Sequence, residues 1–99
     1  MIALILLHQA DSDIQGAFNR YEDIQAGRGE LFLKQLDLAL GFLKQNPEAG
    51  RPYGARYRRF LVRGFPFGVF YQVQPTRIVV AAVIDLRQNP ETIRKKLGL

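Results

Sequence analysis

Apolar residues in this chain change their spacing several times, and each change predicts an element. Ile2 to Leu7 is an unbroken apolar run, the pattern of a short strand covered on one or both faces. Ala10, Ile14, Ala17, Phe18, Tyr21 and Ile24 then recur at steps of three and four. That period predicts an amphipathic helix with Asp11 and Asp13 in its first turn. Gly27 and Gly29 break it, and a second helix is predicted from about Glu30 to Gln45. Its polar stripe is Glu30, Lys34, Asp37, Gly41 and Lys44, and the wide apolar remainder needs two neighbours, most simply the first helix and a sheet.

The proline and glycine content of Asn46 to Gly54 predicts a loop. Arg58 to Val73 predicts an antiparallel hairpin: an arginine-studded strand, the turn Gly64-Phe65-Pro66-Phe67-Gly68 and an aromatic strand. A side-chain period of two puts Tyr57, Arg59, Leu61 and Arg63 on one face and Arg58, Phe60 and Val62 on the other. Phe60 and Val62 seek a core, so Arg59 and Arg63 are expected together on the solvent side. After a turn at Gln74-Pro75-Thr76, the run Ile78 to Ile84 shows no alternation, which predicts an interior strand buried on both faces. Asn89 as N-cap, Pro90 at the first helical position, Glu91 early, Lys95 and Lys96 late and Gly98 at the end predict a helix of about two turns. So short a helix does not hold itself without packing or a partner. The predicted order is β-α-α-β-β-β-α, in one domain over residues 1–99 with no linker or repeat.

Composition narrows the function classes. A hydrophobic content of 47% excludes a disordered tail, and no apolar run reaches membrane-spanning length. Met1 to Leu7 is too short and too uncharged at its front for a secretory signal. Cysteine is absent and there is one histidine, so neither a disulfide scaffold nor a metal site is expected. The chain therefore reads as cytoplasmic, without a cofactor. Its net charge of +5 is unevenly placed. Arg51, Arg56, Arg58, Arg59 and Arg63 crowd into residues 51–63 with no acid among them, while Asp11, Asp13, Glu22, Asp23, Glu30 and Asp37 occupy an earlier stretch. A basic half beside an acidic half points to an anionic partner, nucleic acid or an acidic protein segment. Arginine rather than lysine around the hairpin fits that reading, because the guanidinium fork matches phosphate and carboxylate oxygens. Solubility alone is the bland alternative. His8, alone at a strand-to-helix junction, is read as structural or capping. Tyr21, Tyr53, Tyr57 and Tyr71 are read as packing residues, with Tyr71 pointing inward beside Val69 and Val73.

On these residues the chain resembles the RelE/ParE superfamily of toxins from bacterial type II toxin–antitoxin modules, also described as plasmid stabilisation proteins. The resemblance runs from about Ala10 to Arg94. It is most specific in Tyr57-Arg58-Arg59-Phe60-Leu61-Val62-Arg63 and Phe65-Pro66-Phe67-Gly68-Val69-Phe70-Tyr71-Gln72-Val73. Asp13-Ile14, Asn46-Pro47-Glu48, Gly50-Arg51-Pro52, Val83-Ile84-Asp85-Leu86-Arg87 and Asn89-Pro90-Glu91 support it in order and spacing. It implies a two-layer α/β (α+β) fold: two N-terminal helices on a four-stranded, antiparallel-rich sheet, a short C-terminal helix, and the last strand between the first strand and the hairpin.

Two activities occur in that superfamily. RelE-type members cleave messenger RNA on the ribosome without a metal, using cationic side chains and a tyrosine for charge stabilisation and proton transfer. The resemblance carries Arg59, Arg63 and Arg87 onto basic positions of that set, the candidate catalytic residues of such an enzyme. A second strand base falls at Leu61, the facing-strand arginine at Gly68 and the C-terminal tyrosine at Ile93. With these groups lost, RNA cleavage is the weaker expectation. ParE-type members trap DNA gyrase, and the Arg-Phe-Pro-Phe-Gly-Val-Phe-Tyr-like hairpin and Asn-Pro-Glu helix start resemble this branch. Relatives carry a histidine and paired bases where this chain has Asp85, Arg87 and Gln88, and a Ser-Pro start where it has Leu7-His8. The expected partners are a cognate antitoxin and gyrase, with ribosome-bound messenger RNA as the alternative target and a non-toxic antitoxin-binding module as a third reading. The expected binding residues are Arg56, Tyr57, Arg59, Arg63, Arg87, Lys95 and Lys96, the last two on a terminal helix that forms a second docking surface.

Overall fold

A computed structural model describes residues 2–99; Met1, which the sequence reading includes in the domain, lies outside them. The elements run β1 (Ala3–Leu6), α1 (His8–Ile24), α2 (Arg28–Gln45), β2 (Arg51–Tyr53), β3 (Tyr57–Leu61), β4 (Phe67–Val73), β5 (Arg77–Asp85) and α3 (Pro90–Lys96). They form one mixed sheet in the order β1-β5-β4-β3-β2, five strands rather than the expected four. The added strand is β2, inside the stretch read as a loop. Its three residues pair antiparallel with Tyr57, Arg58 and Arg59 of β3. Pro52 suits this edge position, where no neighbour requires its missing N–H.

β5 is the interior strand that its apolar run predicts, parallel to β1 and antiparallel to β4. Pairing shifts between Phe70↔Ala82 and Tyr71↔Val80, so Ala81 is an extra residue that bulges. The bulge distributes the run over both faces. Ile78, Val80 and Val83 join Phe32, Leu36, Leu43, Val62, Phe67, Val69 and Tyr71 beneath α1 and α2. Ala82 and Ile84 join Phe70, Ile93 and Leu97 beneath α3. α3 starts as its punctuation predicts: Asn89 Oδ1 accepts from Glu91 N–H at 2.8 Å, and Pro90 opens the helix. At its end Gly98 adopts φ 73°, with Gly98 N–H donating to Lys95 O and Leu99 N–H to Arg94 O. That closes a Schellman motif.

Two details at the other end depart from the sequence reading. β1 is an edge strand with an open outer side, so its apolar side chains are largely exposed rather than covered. His8 opens α1 exposed, and the N-cap is Leu7, whose side chain makes no capping bond, so the histidine caps nothing.

Two acids of α1 serve backbone groups elsewhere. Glu22 accepts from Gly27 N–H and from Gly29 N–H at 2.8 Å, satisfying donors at the start of α2. Gly29 therefore belongs inside α2, and a side chain there would come within 2.7 Å of Phe18 O. Asp13 Oδ2 accepts from Val83 N–H at 3.0 Å, beyond the point where β1 stops pairing with β5. Asp13→Ala leaves this partly buried donor unpaired and is expected to cost about 1–3 kcal/mol in urea unfolding.

Candidate functional site

The sheet face turned away from α1 and α2 is half covered by α3, and the uncovered half carries cations. Arg51, Arg59, Phe70 and Ala82 are successive cross-strand partners on β2, β3, β4 and β5, so their side chains share that face. Directly opposed residues have Cβ atoms about 4.5–5.5 Å apart, and like charges so placed destabilise a sheet. Arg51 is exposed and Arg59 half-buried. The stem of Arg59 lies over Gly68: a Cβ built on that glycine would be 3.1 Å from Arg59 Cγ and 3.1 Å from Leu86 Cδ2. Absence of a side chain at Gly68 thus gives the arginine its course across the strands. Among the described residues the one ion pair is Asp85–Arg87, with Nη2 to Oδ2 at 2.8 Å. Arg51 and Arg59 accordingly form a cationic pair with no carboxylate partner among those residues.

The other expected binding residues sit in different surroundings. Arg63 follows the end of β3, where Val62 N–H donates to Phe67 O and Gly64 turns the chain at φ 82°. Period-two parity ends at Leu61, and Arg63 lines a groove of about 400 Å³ with Gln35, Leu38, Phe42 and Phe60. The structure therefore does not put Arg59 and Arg63 in one setting, contrary to the sequence expectation. Arg87 is exposed but bound to Asp85, whose carboxyl its hydrogen bonds hold below the usual carboxylate range. Much of the Arg87 charge is already answered. Arg56, in the β2–β3 turn, lies 5.6 Å from the centroid of the Tyr57 ring. Lys95 and Lys96 are exposed in the last turn of α3, where cations complement the helix dipole.

None of the four tyrosines stands free beside Arg59. The Tyr57 hydroxyl donates to Leu97 O at 3.0 Å and so fastens α3 to the sheet. Tyr53 meets Phe70 edge-on at 5.0 Å, and Tyr21 lies among Phe32, Phe65 and Phe67. Tyr71 is fully buried; its hydroxyl donates to Pro47 O at 2.8 Å and accepts from Gly50 N–H at 2.9 Å. Arg58, next to it, donates through Nη1 to Gly50 O at 2.8 Å and Glu48 O at 3.2 Å. Arg58 and Tyr71 together anchor the loop between α2 and β2, which fixes β2 and with it Arg51. No group of three His, Asp or Glu side chains comes together as a metal site among the described residues.

Arg51 is the residue the sequence reading left out of the binding set. Its signal was present as a mirrored order: Arg51-Pro52-Tyr53 and Tyr57-Arg58-Arg59 face each other across Gly54-Ala55-Arg56.

The chain matches the family model described as the ParE toxin of the type II toxin–antitoxin system parDE over residues 4–90. Among solved structures it is similar to one titled a chromosomal ParDE TA system from P. aeruginosa, with TM-score 0.79 and 19% identity, covering 87% of this chain and 97% of that one. At that identity the likeness is one of fold. No curated protein matches the chain significantly.

Proposed function

This chain belongs to the ParE toxin family of type II toxin–antitoxin systems, and we propose that it inhibits DNA gyrase and is neutralised by a cognate antitoxin. One observation carries the choice of gyrase over RNA cleavage. Leu61 and Gly68, where the RNA-cleaving relatives place two cations, are register partners at the turn end of the β3–β4 ladder, and neither supplies a charge there. Ile93, at the position of their proton-transferring tyrosine, belongs to α3 and is buried against the sheet with Phe70 and Ile84. Nearby Tyr57 has its hydroxyl engaged with Leu97 O. A surface lacking both a complete phosphate clamp and a proton donor forgoes groups that each contribute roughly two orders of magnitude to such chemistry. Docking to a protein target requires neither.

The Arg51–Arg59 pair is the surface for an anionic segment of the target or the antitoxin. An acidic antitoxin segment that folds as it binds would answer both guanidinium groups with charge-assisted hydrogen bonds. The deciding experiment sets the purified chain against gyrase supercoiling and, in parallel, against messenger RNA on translating ribosomes. Expected is loss of supercoiling with accumulation of cleaved DNA and no cut in the messenger. Messenger cleavage with supercoiling untouched overturns the gyrase reading. Unimpaired growth of cells expressing the soluble chain without an antitoxin overturns toxicity itself.

A further inference from the structure

Charge is divided between the two layers of the fold. The helical hairpin, residues 8–45, holds six acids and four bases, whereas residues 46–99 hold ten bases and three acids. Six of those bases gather where α3 meets the sheet. The bond from the Tyr57 hydroxyl to Leu97 O brings the end of α3 against the start of β3. Arg94, Lys95 and Lys96 occupy the last turn of that helix. Arg59 lies two residues beyond Tyr57 on the same face of β3, with Arg51 opposite it. Arg56 sits over the Tyr57 ring. No carboxylate among the described residues forms an ion pair with any of the six, and Glu91, the acid of α3, stands in its first turn.

This face is poor in apolar anchors. Phe70, Ala82, Ile84, Ile93 and Leu97 are shut between the sheet and α3. Among the described residues, the large apolar side chains that remain exposed lie along β1, α1 and α2 or at the end of β4, apart from Leu61 and Leu99. Protein partners are gripped mainly through buried aromatic and apolar anchors, whereas DNA interfaces are more polar and much more positive. Neither Tyr53, edge-on to Phe70, nor Tyr57, bonded to α3, offers a free ring on which an unpaired base could stack. We propose that this face holds the backbone of duplex DNA, through phosphate contacts that carry no sequence preference. The inference deepens the gyrase reading and rests on it: a toxin docked on gyrase would grip the DNA that the enzyme holds. The acidic helical layer, on the other side of the sheet, turns away from the duplex.

The test titrates the intact chain, without gyrase, against labelled duplex DNA of two unrelated sequences, the matching single strand and polyglutamate of equal charge. Binding is read by fluorescence anisotropy across a salt series. Both duplexes are expected to bind alike and more tightly than the other two probes. The slope of log K against log salt should approach about −5 if all six cations meet phosphates. Arg51→Gln with Arg59→Gln, and separately Lys95→Gln with Lys96→Gln, should each weaken duplex binding at least ~10-fold at 0.1 M salt and make the slope shallower by about two. The lysine pair is exposed, so its variant keeps the test open should loss of the Arg59 stem disturb the fold. Lys34→Gln with Lys44→Gln removes the same charge from α2 and should leave affinity within about twofold, because salt screens charges beyond ~10 Å. Tighter binding of polyglutamate or of the single strand overturns the proposal, as does a slope shallower than about −2 or an equal loss from the α2 variant. A supercoiling assay run in parallel separates this inference from its premise. Inhibition of gyrase by a chain that does not bind duplex DNA removes the DNA contact alone, whereas duplex binding with gyrase unaffected removes the gyrase reading and leaves the DNA face standing.

Discussion

Gly50→Ala is expected to destabilise this protein by about 3 kcal/mol, among the largest losses available from one added carbon. The new Cβ would lie 2.5 Å from the Tyr71 hydroxyl oxygen, 2.8 Å from its Cε1 and 3.0 Å from Arg59 O. None of these atoms yields cheaply. Tyr71 is fully buried and tied to the loop by two hydrogen bonds, and Arg59 O belongs to the β3 backbone. Moving the loop aside breaks the bonds of Tyr71 and of Arg58 together. For a domain of this size the melting temperature should fall by roughly 12–24 °C. Tyr71→Phe removes the hydroxyl and part of the clash, but leaves Gly50 N–H and Pro47 O unpaired, at about 1–3 kcal/mol. The double variant should lose less than the sum of the two, because the first change destroys what the second would break. Strict additivity, or a shift under about 4 °C for Gly50→Ala, would show that the loop relaxes freely and that Tyr71 does not anchor it.

The same tyrosine gives the fold an alkaline limit. Burial pushes its hydroxyl above the ordinary value, against the opposing pull of Gly50 N–H and Arg58. A group whose folded pKa is raised contributes stability that is fully present below its unfolded value, about 10 for tyrosine. That contribution disappears as pH rises through the folded value. Urea midpoints should therefore decline above pH ~10, and Tyr71→Phe should remove that part of the decline.

Much of this architecture was legible because its signals are local. Asparagine, proline and glycine at the two ends of α3 each act within one turn, and the unalternating run of β5 states that both its faces are covered. What escaped depends on partners distant in sequence. Arg51-Pro52-Tyr53 has no strand signal of its own, lying between Gly50 and Gly54, and becomes β2 only by lying against β3. The apolar run of β1 identifies a strand but not its place in the sheet. Parallel pairing with β5 makes it an edge and exposes residues that composition assigns to a core. Parity failed at Arg63 for a related reason: period two holds only while the backbone stays extended, and the chain turns after Leu61. The candidate site inherits both effects, so one arginine joined it and another left it.

Replacing Arg51 and Arg59 together by alanine is expected to weaken inhibition of gyrase or grip of the antitoxin at least tenfold while leaving stability unchanged or slightly raised. The two effects come from one arrangement. Each guanidinium can make charge-assisted hydrogen bonds to a carboxylate or phosphate, contributing about 1.5–3 kcal/mol apiece when desolvated. Every 1.4 kcal/mol is tenfold in affinity. Without a bound anion, the same two cations oppose each other across adjacent strands with no carboxylate partner among the described residues, so removing them relieves repulsion. Arg63→Ala, in the groove beside α2, serves as the comparison and should leave both activities close to wild type. Gyrase supercoiling, antitoxin titration and thermal melting of the three proteins check this. A double variant that binds and poisons like the wild type makes the row of arginines a solvated surface. A double variant that melts well below the wild type makes those arginines part of the architecture, through the stem of Arg59 packed over Gly68. Only lost function with retained or raised stability marks a charge pair that the fold tolerates for the sake of its partner.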